Sequence, residues 1–134
     1  MKELFQLYMD TEKRLCFLYK HAATMADISD EKEMMLQFSQ SCDEAIKYLN
    51  YFYNEEFDET YNPVICEFDI KGTYRDILNN IQFLDLESFL RYRRHTYFQE
   101  NILLRETMRS IADDKLTHIL AILAIVIDMD DPKK

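Results

Sequence analysis

Apolar residues recur at three- and four-residue steps through most of this chain, and the steps divide into four stretches. The first predicts a helix over 3–26, where Phe5, Tyr8, Leu15, Cys16, Tyr19, Ala22 and Ala23 share a stripe with one acid, Glu12. Ser29 or Asp30 is placed to cap a second helix, with Glu31 and Glu33 in its first turn, running to about Asn54. The short 26-to-29 connection makes these two an antiparallel hairpin. The pattern fails over 55–72, which holds Pro63 and Gly72; this reads as a crossover, partly packed by Phe57, Tyr61, Ile65 and Phe68. Thr73 can cap a third helix with the stripe Ile77, Leu78, Ile81, Asp85, Phe89 and Tyr92, ending somewhere in 96–100. Asn101 can cap a fourth, whose inward face carries Leu104, Met108, Ile111, Lys115, His118, Ile122 and Ile125. The expectation is one domain over 1–134, all-α, an antiparallel four-helix bundle of two helical hairpins (3–54 and 73–129) joined by the long crossover.

Composition agrees with the helices. One Gly and two Pro beside 48% hydrophobic content leave few helix breakers. The formal charge of −9 argues against nucleic acid or an anionic membrane as partner. The run Arg91, Arg93, Arg94 and His95 reads as a solvated helix face. Cys16, Cys42 and Cys66 form no C-x-x-C and read as buried reduced thiols. Glu3, Asp10 and Glu12 interrupt any signal-peptide core, and the apolar run Ile119 to Ile127 is short for a membrane span, so a cytoplasmic protein is expected. That run is apolar on every side, which predicts a homodimer contact at the end of the fourth helix.

The candidate chemistry lies in a pattern that occurs twice. Glu12 precedes Tyr19 by seven residues, and Asp85 precedes Tyr92 by seven. Later in each half come Glu44-Ala45-Ile46-Lys47 and Lys115-Leu116-Thr117-His118, at nearly equal offsets (44 − 12 = 32 and 115 − 85 = 30). A carboxylate on one helix with E-x-x-H on the next, used twice, is how a helical bundle builds a two-metal carboxylate centre. Placed inward, Glu12, Glu44, Asp85, Lys47, Lys115 and His118 are charged or polar members of apolar faces, which is expensive unless they are paired or metal-bound.

On Glu12 to Tyr19, Asp43 to Leu49, Asp85 to Tyr92 and Asp113 to His118, the chain resembles the rubrerythrin-like branch of the ferritin-like superfamily over nearly its whole length. The resemblance implies two iron or manganese ions that react with oxygen or peroxide, held by a Glu and an E-x-x-H from each half. By position, Glu12, Glu44 and His118 keep the family's residue type and Asp85 is a shorter carboxylate. Lys47 stands for a His and Lys115 for the second bridging Glu.

A protonated lysine has three donors and no lone pair, so it cannot ligate a metal. The expectation is therefore a metal-free Lys/carboxylate/His cluster in a non-catalytic binding or structural module, with no cofactor. The alternative is an iron- or manganese-dependent oxidoreductase, dinuclear or with a mononuclear site of Glu44, Asp85 and His118 that Asp114 assists. Residue by residue, plainer roles exist: His118 as a hydrogen-bonded core histidine, Tyr19 and Tyr92 as core aromatics reaching a carboxylate, and Cys16 as an inert thiol rather than a redox one. Met25, Met34, Met35, Met108 and Met129 read as core fillers.

Overall fold

The computed structural model of the chain describes residues 1–65 and 72–131. Among these, all regular secondary structure is α-helical: α1 (Lys2–Met25), α2 (Ser29–Phe57), α3 (Tyr74–Thr96) and α4 (Ile102–Met129). This is the all-α, four-helix class that the spacing predicts. The helices fall into two compact units, Met1–Ile70 and Lys71–Lys134, each built on one hairpin, α1 with α2 and α3 with α4. No described helix is long and apolar enough to cross a membrane.

Local chemistry explains most boundaries. Thr73 and Asp76 form a capping box at the start of α3, the Thr73 hydroxyl accepting from the Asp76 amide while the Asp76 carboxylate accepts from the Thr73 amide. Gly72 precedes the box at φ 118°, and a Cβ there would lie 2.7 Å from Asp76 Oδ2, so both the backbone and the close approach require glycine. Asn101 caps α4 by accepting from the Leu104 amide at 3.1 Å. At the start of α2 the expectation fails. Ile28, extended at φ −94°, is the N-cap with no side-chain bond, and Ser29 and Asp30 are already helical. α2 also runs past Asn54 to Phe57, where Asp58 turns left-handed (φ 53°). Phe57 is thus a helix residue, its ring 5.0 Å from that of Tyr53, rather than part of a crossover.

Unit 1 is pinned along its hairpin by contacts far apart in sequence. Gln6 Nε2 donates to Tyr53 Oη at 3.0 Å near the open end, and the Tyr19 and Phe38 rings meet edge to face at 5.5 Å near the turn. Residues 58–65 then fold back over the same hairpin as an irregular strap. Asn50 clasps the Tyr61 backbone, donating to its carbonyl and accepting from its amide, each at 2.9 Å. Asp10 accepts from the Tyr61 hydroxyl at 2.9 Å and the Val64 amide at 2.8 Å. Burial and the Asp10 carboxylate together push the Tyr61 phenol up to about 12. Ile65 is exposed, contrary to a packing role, while Phe68 and Cys66 lie outside the described residues.

Unit 2 buries Ile77, Leu78, Ile81 and Tyr92 of α3 against Leu104, Met108, Ile111, Ile122 and Val126 of α4. Ser88, not Phe89, is the buried residue midway along α3. Phe89 instead lies under Arg93, whose guanidinium carbon stands 5.8 Å from the ring centroid. The expected solvated basic face is so in part: Arg93 and Arg94 are exposed, Arg91 pairs with Glu87, and half-buried His95 has its pKa lowered by desolvation. Of the expected core methionines, Met35 and Met108 are buried, Met25 and Met34 are half-buried, and Met129 is exposed.

Candidate functional site

Unit 2 brings three of the expected residues together in its interior. Asp85 of α3 is fully buried, and Lys115 and His118 of α4 are 1% and 3% exposed. The three-residue step between Lys115 and His118 places them one turn apart on the same inward face. Lys115 Nζ lies 3.9 Å from Asp85 Oδ1, an ion pair out of contact with bulk water. Burial first, and the Lys115 charge beside it second, lower the His118 pKa to about 3, so the imidazole is neutral near pH 7. Tyr92, two turns along the same face of α3 from Asp85, is fully buried, and Thr96 closes the row by donating to the Tyr92 carbonyl at 2.7 Å.

Unit 1 places its share differently. Glu12 and Tyr19 are fully buried on α1, as the spacing predicts. Glu44 and Lys47 are exposed. The buried stripe of α2 passes through Ser39, Cys42, Ala45, Ile46 and Leu49, and at 100° per residue positions 44 and 47 fall on the far side of the helix. Glu44 and Lys47 are therefore surface residues, and the lysine expected in place of a ligand imidazole is not in the core. Asp114, expected to help from beside Lys115, is likewise exposed.

Burial also corrects the register of the repeat. A single shift of 73 residues carries most of the buried positions of unit 1 onto buried positions of unit 2: on the first helices Phe5 to Leu78, Tyr8 to Ile81, Glu12 to Asp85, Tyr19 to Tyr92 and Ala23 to Thr96. On the second helices it carries Met35 to Met108, Ser39 to Ala112, Cys42 to Lys115, Ala45 to His118 and Leu49 to Ile122. The counterparts of Lys115 and His118 in unit 1 are thus Cys42 and Ala45. The carboxylate pair 12 and 85 already has this shift, and applying it onward from 85 to 115 points to 42 rather than 44. The E-x-x-K at 44–47 lies two residues beyond the inward positions 42 and 45.

Cys42 and Cys16 are both buried cysteines. Cys16 Sγ is 3.2 Å from Ser39 Oγ, and the Ser39 hydroxyl lies 3.0 Å from the Cys16 carbonyl, a local tie between α1 and α2.

The donors inside unit 2 do not by themselves fit a metal ion. In unit 2 one carboxylate and one imidazole share their interior with an ammonium that has no lone pair to give and already stands against the carboxylate. Among the described residues no group of three His, Cys, Asp or Glu side chains is disposed to hold a metal. Comparison with protein-family profiles, curated proteins and solved structures gives no match.

Proposed function

We propose that this chain is a non-catalytic binding or structural module, a duplicated helical hairpin of ferritin-like type in which the metal-ligand positions carry a polar core instead. The observation that carries the reading is the Lys115–Asp85 pair, 3.9 Å apart and buried, where the ferritin-like pattern calls for a bridging carboxylate and a metal ion. An ammonium at that place supplies the positive charge that Asp85 needs, without an open coordination position for oxygen or peroxide. His118 is neutral and buried, in a condition to accept or donate one hydrogen bond, with no charge to neutralise.

The 73-residue shift supports descent from a doubled hairpin, and its contents support loss of the metal chemistry. At the equivalents of Lys115 and His118 unit 1 has Cys42 and Ala45, so the second helices together offer one imidazole and no carboxylate at these four positions. Elemental analysis of protein purified without chelator, repeated after incubation with ferrous iron or manganese, tests the reading. Metal well below one ion per chain is expected. Two ions per chain would restore the oxidoreductase alternative, and one would restore its mononuclear form.

A further inference from the structure

The repeat supplies an internal control for the outer surface as well as for the core. In unit 1, Asp10 on α1 and Asn50 on α2 are both held by the strap, through Val64 and Tyr61, so these positions open on one side of hairpin 1. The 73-residue shift takes them to Phe83 and Leu123 in unit 2. The same side of hairpin 2 carries Leu86, Leu116, Leu120 and Ile127, and all six side chains are 40–68% exposed. Their unit 1 counterparts are Asp10, Lys13, Asp43, Lys47, Asn50 and Asn54, every one polar. Two hairpins of the same design thus differ on this side: unit 1 is polar there, with Asp10 and Asn50 engaged by its own chain, whereas unit 2 is apolar and exposed. Scattered exposed leucines need no explanation, but an aligned row on two neighbouring helices does.

We propose that this side of hairpin 2 is the contact surface for a second copy of the chain, the two hairpins packing face to face about a two-fold axis. The spacing of the α4 row is one ground. Leu116, Leu120, Leu123 and Ile127 are separated by steps of four, three and four residues, which read the same in both directions. With a two-fold axis between 121 and 122, an antiparallel copy of α4 matches every apolar position of the row with another: Leu120 meets Leu123 of the partner subunit, and Leu116 meets Ile127 of the partner subunit. Phe83 and Leu86 widen the surface from a helix seam to a hairpin face.

Charge is the second ground. Unit 1 has 6 Lys and Arg against 15 Asp and Glu, and so holds the whole −9 of the chain, whereas unit 2 has ten of each. Two copies meeting through unit 2 bring together units of no net charge, so no net repulsion opposes burial of the row. A partner recognised by charge would find little to read here, and an anionic membrane no net attraction. A self-complementary row on a neutral unit favours a second copy. This inference is independent of the metal-free reading, since it concerns the outer side of hairpin 2 and not its core.

The test is sedimentation velocity with light scattering on the full chain, beside a variant given the residues of unit 1: Leu116→Asp, Leu120→Lys, Leu123→Asn and Ile127→Asn. The wild type is expected to be a dimer at tens of micromolar. The variant should be a monomer of unchanged helical circular dichroism, its dimer dissociation constant raised at least about 100-fold because each polar group would be desolvated without a partner. Should that variant fail to fold, Leu120→Lys alone should shift the equilibrium in the same direction. A wild type that stays monomeric at roughly 100 μM would overturn the proposal and leave the face to some other occupant. A folded variant that dimerises as well as the wild type would also overturn it, by placing the contact elsewhere.

Discussion

Lys115 and Asp85 face each other inside hairpin 2, Nζ to Oδ1 3.9 Å, with almost no solvent exposure of either side chain. At that distance, and at the effective dielectric of a protein, a pair of charges attracts by a few kcal/mol, comparable to the desolvation that burial exacts from them. Such a pair contributes little net stability while intact and leaves an uncompensated charge when one member is removed. Lys115→Met and Asp85→Asn are therefore each expected to destabilise the chain by about 3–5 kcal/mol, and the double substitution by much less than their sum. Urea unfolding of the four proteins measures the coupling. Additive losses would mean that the two groups are stabilised by other neighbours rather than by each other.

The pH dependence has a calculable sign. His118 has a folded-state pKa of about 3 against 6.5 for the free imidazole. Between those values the unfolded chain binds a proton that the folded chain refuses, so stability rises with pH across this window and is lost as pH falls from about 6.5 toward 3. The slope from one group cannot exceed about 1.4 kcal/mol per pH unit. His118→Leu should flatten the profile relative to the wild type over the upper part of that window, before carboxylates titrate in both proteins. Unfolding free energies at several pH values decide it, and parallel curves would rule out His118 as the source.

How much of this could be read from the chain depends on what each signal reports. Helix number, the Thr73 and Asn101 caps and the inward Glu12, Tyr19, Asp85, Tyr92, Lys115 and His118 follow from periodicity and side-chain chemistry, and all are found as expected. The α2 register was not legible in the same way. Its polar residues are dense, so an E-x-x-K at 44–47 and the apolar stripe through Cys42, Ala45 and Leu49 compete in one window, and ligand type points to one register where helical phase points to the other. Phase wins because burying Glu44 and Lys47 would have exposed Ile46 and Leu49 instead. The strap was legible only as a break in pattern, since its hydrogen bonds to Asp10 and Asn50 join residues up to 54 positions apart.

Glu44→Ala and Lys47→Ala change exposed side chains on the outer side of α2 and should each alter stability by no more than about 0.5 kcal/mol. Cys42→Asp places an unpaired carboxylate in the buried stripe and should cost several kcal/mol or prevent folding. Cys42→Ala, by contrast, should cost only what a small cavity does, on the order of 1–2 kcal/mol. Chemical denaturation of these variants checks the phase of α2. A large loss at Lys47 with none at Cys42 would restore the original register.

The strap offers the last test, because it is the feature that hairpin 1 has where hairpin 2 has an apolar row. Asp10 holds it at two places, accepting from the Tyr61 hydroxyl and the Val64 amide, and Asn50 holds the Tyr61 backbone by two bonds. Asp10→Ala removes an acceptor from two donors, one of them phenolic, and Asn50→Ala removes a two-way clasp. Each is expected to cost about 1–3 kcal/mol if the strap is coupled to global unfolding. If the strap opens on its own, global stability should hold while the Tyr61 and Val64 amides lose protection from hydrogen exchange. In either case the amides of α1 and α2 should remain protected, since the hairpin is closed by Phe5, Tyr19, Leu49 and Tyr53 rather than by the strap. Unchanged protection at Val64 in Asp10→Ala would show that the segment is held by something other than this carboxylate.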